Sequence, residues 1–332
     1  MPRYLIAFPV YNAFFETDEM TFKVADVTFM SKASLSKEIP YLNEDKTNFK
    51  ENQIFATVTI CRALPNAKEL AYDQCCFATD IFKICSDLFH SNFCNPKKWQ
   101  FDVNKDFITY GLSNCYCKEL DSINHENFHV DYKRDRFPAY VNADVLSSVN
   151  KWNIKDFESL YDIVYSTGTK SIHKVLKRAC HIYSQSFSIN NIYERVVWLC
   201  TVLDTLATCK RQSKVGQLKE YLPALVLISN RLNEALGCFI NDIYDLRSAY
   251  IHNAEEYPIS EEDVDKLEKI VYRLILQLAR KSKEYKSIQE VFNDIKKGLF
   301  VPNNDNLQDI YFPERYKSVI INQTIQKQSQ TK

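Results

Sequence analysis

The apolar residues change period near Asp144, and that change limits the chain to two kinds of structure joined end to end. Before it, the runs Tyr4–Val10, Phe22–Phe29, Ile54–Cys61 and Phe101–Thr109 are β-branched, aromatic and of strand length, and several alternate as half-buried strands do. Between them Asn66–Phe89 reads as a helix opening after Pro65. Its apolar positions Ala71, Cys75, Ala78, Phe82 and Cys85 recur close to a 3.6-residue period. Beyond Asp144 strand patterns vanish. Helices are expected at Val145–Tyr165, Ser171–Phe187, Asn191–Cys209, Leu218–Ser229, Arg231–Asn253 and Glu261–Tyr285, with a short one at Ser287–Leu299. Ser260 with Asp263 makes a capping-box-like start for Glu261–Tyr285. The fold class is therefore α+β: a mixed α/β domain over 1–143, an all-helical bundle over 144–300, and a polar tail over 301–332.

Glycine is scarce, five in 332 residues, and no two lie close enough for a P-loop or a dinucleotide fingerprint. Both motifs need glycines so that backbone can approach phosphate, so those nucleotide-driven enzymes are excluded and no cofactor is expected. The net charge is zero, which argues against binding nucleic acid along the whole chain by bulk electrostatics. A local basic pocket, or a groove made by two copies, remains open. The apolar start is broken by Pro9 and followed by Glu16 and Asp18, unlike a cleavable leader, and no run approaches the roughly 18 apolar residues a membrane span needs. Cysteines such as Cys180, Cys200 and Cys238 fall inside apolar helical patterns, where a reduced thiol packs as a small hydrophobe. A cytoplasmic location away from membranes is the expectation.

Cys115, Cys117, His125 and His129 offer zinc-type ligands, but Cys-x-Cys is tighter than a zinc knuckle, and one strand face explains the two thiols. No metal is expected. Cys75-Cys76 reads as helix packing, and Asp131–Arg136 as a solvated turn. Trp152 and Trp198 suit a core or a dimer interface better than base stacking.

The chemistry concentrates in Arg231–Asn253. Phe239, Ile243, Leu246 and Tyr250 form an apolar stripe, and Arg247 sits at its edge. A guanidinium there is costly to bury alone and wants a carboxylate or a phosphate. Asp204, in a row with Val197, Cys200 and Ala207, needs a partner equally, and an Asp204–Arg247 pair satisfies both. His252 follows Arg247 by five residues, about 140° around a regular helix, so the two meet only at a helix end or between two copies. An arginine and a histidine over one pocket suit RNA scission without metal. The 2′-hydroxyl is the nucleophile, histidine moves the proton, and arginine neutralises the phosphorane. Spacing alone leaves the quieter reading open: Arg247 as a structural partner of Asp204 or Asp245, and His252 as a helix C-terminal residue favoured by the macrodipole. Lys210, Arg211 and Lys214, after the helix bearing Asp204, are candidate RNA-phosphate contacts or a solvated loop.

The segment Tyr244–Asn253 resembles the YDLR-xxxx-H stretch of HEPN domains, particularly the Apea-like group. Ser171–Phe187 (Ile172, Leu176, Ala179, Tyr183) is similar to that family's first helix, and Val202-Leu203-Asp204-Thr205-Leu206 to its apolar-Leu-acid-x-Leu helix. The resemblance spans about residues 171–285. It implies a helical bundle that dimerises and cuts RNA through Arg247 and His252, supported by Asp204, Asp245, Asn253 and Tyr250. It further implies a role in defence or stress, and a protein trigger or antitoxin as partner. The competing class is an inactive HEPN adaptor or a ligand sensor. The chain departs from the family at Asp204, where glutamate is usual, and at Ser248, a mild match to the polar or charged residue that often follows the arginine. It departs again at Ala254, where some antitoxin-controlled members carry a modified tyrosine; that route of control is not expected here.

Overall fold

The computed structural model describes residues 2–43, 49–85, 102–103, 116–119, 125–126, 139–144, 146, 161, 170–187, 189, 191–207, 213–227, 229, 232–302, 310 and 312. The chain divides into two compact units, Met1–Tyr165 and Ser166–Lys332. The first is built on a sheet and the second on helices, the α+β class expected. The change of periodicity falls at Asp144, before that division.

In the first unit the sheet contains β1 (Arg3–Phe15), β2 (Thr21–Val24), β3 (Val27–Ser31), β4 (Gln53–Cys61), β5 (Asp102–Val103), β6 (Tyr116–Glu119), β7 (His125–Glu126) and β8 (Ala139–Val141). The order is β2-β3-β4-β1-β6-β7, with β5 and β8 also pairing with β1. β1 is longer than the expected Tyr4–Val10. Its register against β4 shifts between Pro9 and Phe14, where Pro9 has no N–H to give the ladder. The buried Gln53 fills the gap. Its amide Nε2 donates to Val10 O at 2.6 Å and Ala13 O at 2.9 Å, so carbonyls freed by the irregularity are not left dry. Phe22–Phe29, expected as one strand, is a hairpin. Ala25, at φ 51°, turns the chain between β2 and β3 within two residues. Phe22 and Val24 face the same side as their partners Phe29 and Val27, so the apolar alternation shifts by one residue across the turn.

Helix α1 (Lys32–Glu38), not anticipated, is capped by Ser31, whose hydroxyl accepts from Ser34 N. Helix α2 (Leu64–Cys85) does as expected: Ala71, Cys75, Ala78, Phe82 and Cys85 are all fully buried. Phe82 packs with Phe22 and Phe29, and Tyr72 meets Phe8 edge-on at 5.6 Å. Each such phenylalanine stabilises the unit by roughly 1.5–3 kcal/mol relative to exposure. The expected strand Phe101–Thr109 is described only at β5, and Val145–Tyr165 lies almost wholly outside the described residues.

The second unit contains α3 (Ser171–Ser186), α4 (Ile192–Ala207), α5 (Lys214–Val226), α6 (Asn233–Asn253), α7 (Glu261–Lys281) and α8 (Ile288–Lys296). α3 buries Ile172, Leu176, Ala179 and Tyr183, the four residues of its apolar pattern. Its start is tied to the chain after α7, with Lys170 Nζ donating to Ser282 O at 2.9 Å and Ile172 N to Lys286 O at 3.2 Å. α7 opens in the expected capping box, Ser260 and Asp263 each accepting from the other's backbone N–H. α5 begins at Lys214, four residues before the expected Leu218, because Ser213 caps it by accepting from Gly216 N. Arg273 of α7 gives Nη1 to Val226 O at 2.8 Å and so satisfies a carbonyl at the other end of α5. The region after 300 is not purely a polar tail. Ile310 and Phe312 are buried, Phe312 against Phe239 of α6 with ring centroids 6.0 Å apart, because apolar side chains in a polar stretch leave water where a packed surface is in reach.

Candidate functional site

α4 and α6 bring Asp204 and Arg247 together. Arg247 Nη2 lies 3.6 Å from Asp204 Oδ2, with the two side chains 24% and 12% exposed, so the pair sits at the rim of the bundle rather than at its centre. The same carboxylate takes two more donors. Tyr244, one turn before Arg247, donates its hydroxyl to Asp204 Oδ1 at 2.7 Å, and Lys214 Nζ donates to Oδ2 at 2.7 Å. The Arg247 guanidinium also lies 5.6 Å from the Tyr244 ring centroid, within cation–π range. Asp204 therefore holds α4, α5 and α6 at one point.

Burial raises the Tyr244 phenol far above its ordinary pKa, and Cys200 and Asp204 push it further in the same direction. Tyr244 is thus a neutral donor throughout the working pH range. Burial raises the Cys200 thiol as well, and so removes it as a nucleophile. Neither Tyr244 nor its bond stood among the expected site residues. The available signal was a tyrosine on the buried side of a helix, whose hydroxyl must find an acceptor.

His252 is exposed in the last turn of α6, which stays helical through Asn253. The helix stops at Ala254, whose left-handed backbone (φ 54°, ψ 33°) turns the N–H groups of Ala254 and Glu255 onto Ala249 O. Because α6 is regular between them, Arg247 and His252 are separated by about 140° and a rise of about 7.5 Å. A single chain does not stack them on one face.

The remaining expected residues separate. Tyr250 leaves the pair to stack on Tyr193 of α4, with centroids 5.4 Å apart, and Tyr193 in turn donates its hydroxyl to Tyr257 O at 2.9 Å. Asp245 and Asn253 line a different feature, a cavity of about 660 Å³ between α6 and the chain leading into α7. Asp242, Glu255 and Asp263 share that lining, so the cavity is acidic and repels phosphate. Lys214 reaches the Asp204 cluster, whereas Lys210 and Arg211 lie outside the described residues. Trp198, expected in a core or interface, is 38% exposed on α4. Cys115, His129, Trp152 and Asp131–Arg136 also fall outside the described residues. Among the described residues no helix is long and apolar enough to cross a membrane, and no cluster of three or more His, Cys, Asp or Glu is placed to hold a metal.

Comparison of the chain with protein-family models, with curated proteins and with solved structures gave no match.

Proposed function

We propose that the helical unit is a metal-independent endoribonuclease of HEPN type, in which Arg247 and His252 act on an RNA phosphodiester in a homodimer. The observation that carries this reading is the tethered guanidinium. Asp204 holds Arg247 at the rim of a packed bundle, partly exposed, five residues before an exposed histidine on the same helix. The resemblance of Tyr244–Asn253 to the HEPN motif supports the same assignment. In the reaction the 2′-oxygen attacks phosphorus and the bond to the 5′-oxygen breaks. The products are a 2′,3′-cyclic phosphate and a 5′-hydroxyl. One His252 takes the proton from the 2′-hydroxyl, the second copy's His252 returns one to the 5′-oxygen, and Arg247 neutralises the charge on the phosphoryl oxygens. A second copy is needed because one α6 does not put both groups on one face. The cellular setting proposed, by analogy with the family, is cytoplasmic defence or stress, with a protein trigger or antitoxin controlling the nuclease.

The test is incubation of the purified protein with RNA in EDTA. RNA is expected to be cut to cyclic phosphate ends while the matching DNA oligonucleotide survives, and Arg247→Ala and His252→Ala are each expected to abolish cutting. Wild-type rates in both variants would refute the assignment. A second reading, an inactive bundle serving as adaptor or sensor, is favoured by one observation: Arg247 already has a carboxylate partner in the single chain. It predicts a dimer that never cuts RNA, with or without candidate triggers.

A further inference from the structure

We propose that Lys214 and Arg247 form a two-cation clamp for one phosphate of single-stranded RNA, with Asp204 as the fixed post that positions both. The identity of the ligand rests on the nuclease reading above; the clamp itself rests on geometry. Lys214 Nζ and Arg247 Nη2 lie 2.7 Å and 3.6 Å from the same oxygen, Asp204 Oδ2. Tyr244 occupies the other oxygen at 2.7 Å, so the carboxylate cannot rotate to give each cation its own oxygen. Two cations sharing one carboxylate leave one unit of positive charge at the rim of the bundle.

The donors are not spent. The 3.6 Å contact of Arg247 with Asp204 is an ion pair beyond hydrogen-bond range. A guanidinium carries five N–H donors in a fork that matches phosphate. The Lys214 ammonium has three donors, gives one to Asp204, and its side chain is 55% exposed. An anion that bridges the two meets positive charge already assembled, without moving the backbone. Lys214 is the first residue of α5, held by the Ser213 cap, so its position comes from a helix rather than from a free loop. The acidic cavity on another side of α6 disfavours phosphate there.

The test is fluorescence anisotropy with a 2′-O-methylated single-stranded RNA, which binds but cannot be cut, titrated between 50 and 200 mM salt. One lost phosphate contact lowers the slope of log affinity against log salt by about 0.7 and weakens binding about fivefold at 0.1 M salt. Lys214→Ala and Lys214→Gln are expected to show both effects with a melting temperature lowered only by the little that one half-exposed ion pair contributes, and Lys214→Arg to restore them. A merely structural lysine would move the melting temperature and leave the salt slope alone. Wild-type slope and affinity in Lys214→Gln would overturn the clamp, as would wild-type protein that does not bind this RNA. If binding depends on Lys214 but unmodified RNA is never cut, the clamp stands and the nuclease reading falls. If RNA is cut and Lys214→Gln binds normally, the reverse holds.

Discussion

Tyr244 donates its hydroxyl to Asp204 across 40 positions of sequence, at 2.7 Å, and so fixes the carboxylate that faces Arg247. The bond joins a neutral donor to an ionised acceptor in a largely dry place, the kind that contributes most when intact and costs most when half removed. Tyr244→Phe is expected to lower the unfolding free energy by about 1.5–3 kcal/mol in urea denaturation. If the nuclease reading holds, Tyr244→Phe also slows RNA cutting more than it weakens binding, because the arginine loses its bearing rather than its charge. Equal losses in cutting and binding would contradict that role.

Glu268 sets a pH dependence for the bundle. Its carboxylate, 4% exposed on α7, is ion-paired with Arg195 of α4, yet burial raises its pKa to about 7. Arg195 and Lys269 favour the charged form, while Asp265 opposes it and adds to the effect of burial. A pKa raised on folding means that stability is fully present below the unfolded value near 4.5 and is lost as pH rises through about 7. The loss attributable to this group is up to about 3 kcal/mol by pH 8. His173, whose pKa burial lowers, works the other way below about pH 6.5. The informative measurement is therefore the difference between wild type and Glu268→Gln in denaturant titrations from pH 5 to 8. That difference should move in favour of the variant as pH rises; a constant difference would show that Glu268 stays ionised throughout.

Gln53 patches the irregular pairing of β1 by donating to Val10 O and Ala13 O in a fully buried position. Gln53→Leu keeps the volume and removes both donors, leaving two buried carbonyls dry. A loss of about 2–6 kcal/mol is expected, since each of the two unsatisfied groups costs roughly 1–3 kcal/mol. Thermal unfolding of the variant checks it, and a change under 1 kcal/mol would mean that water takes the amide's place.

Ala254 ends α6 in the left-handed region, where a side chain is strained and glycine is not. Ala254→Gly is expected to raise stability by about 0.5–1 kcal/mol, the relief of strain exceeding the extra freedom of the unfolded chain. A lower melting temperature would mean that the methyl group makes contacts worth more than the strain.

The α+β class, the buried stripe of α2, the four core residues of α3 and the capping box of α7 were legible in the sequence. Each depends on residues within a few turns of one another, and periodicity reports those directly. The hairpin at Ala25 was not legible, because no glycine or asparagine marks the turn and only a one-residue slip in alternation, between Val24 and Val27, betrays it. The early start of α5 was missed because Lys214 reads as part of a basic loop until Ser213 is seen to cap a helix.

The site divides along the same line. From Arg247, His252 and Asp204 alone, one can say that a guanidinium at the edge of an apolar stripe needs an anion and that a buried-type carboxylate can supply it. The tertiary structure decided what else reaches that carboxylate. It added Tyr244 and Lys214, sent Tyr250 to Tyr193 and Asp245 to an acidic cavity, and held Arg247 and His252 apart on a regular helix. The physical reason is range. A side chain's need for a partner is written in its own chemistry and its local pattern, whereas which of several distant partners meets it depends on how helices 40 residues apart pack.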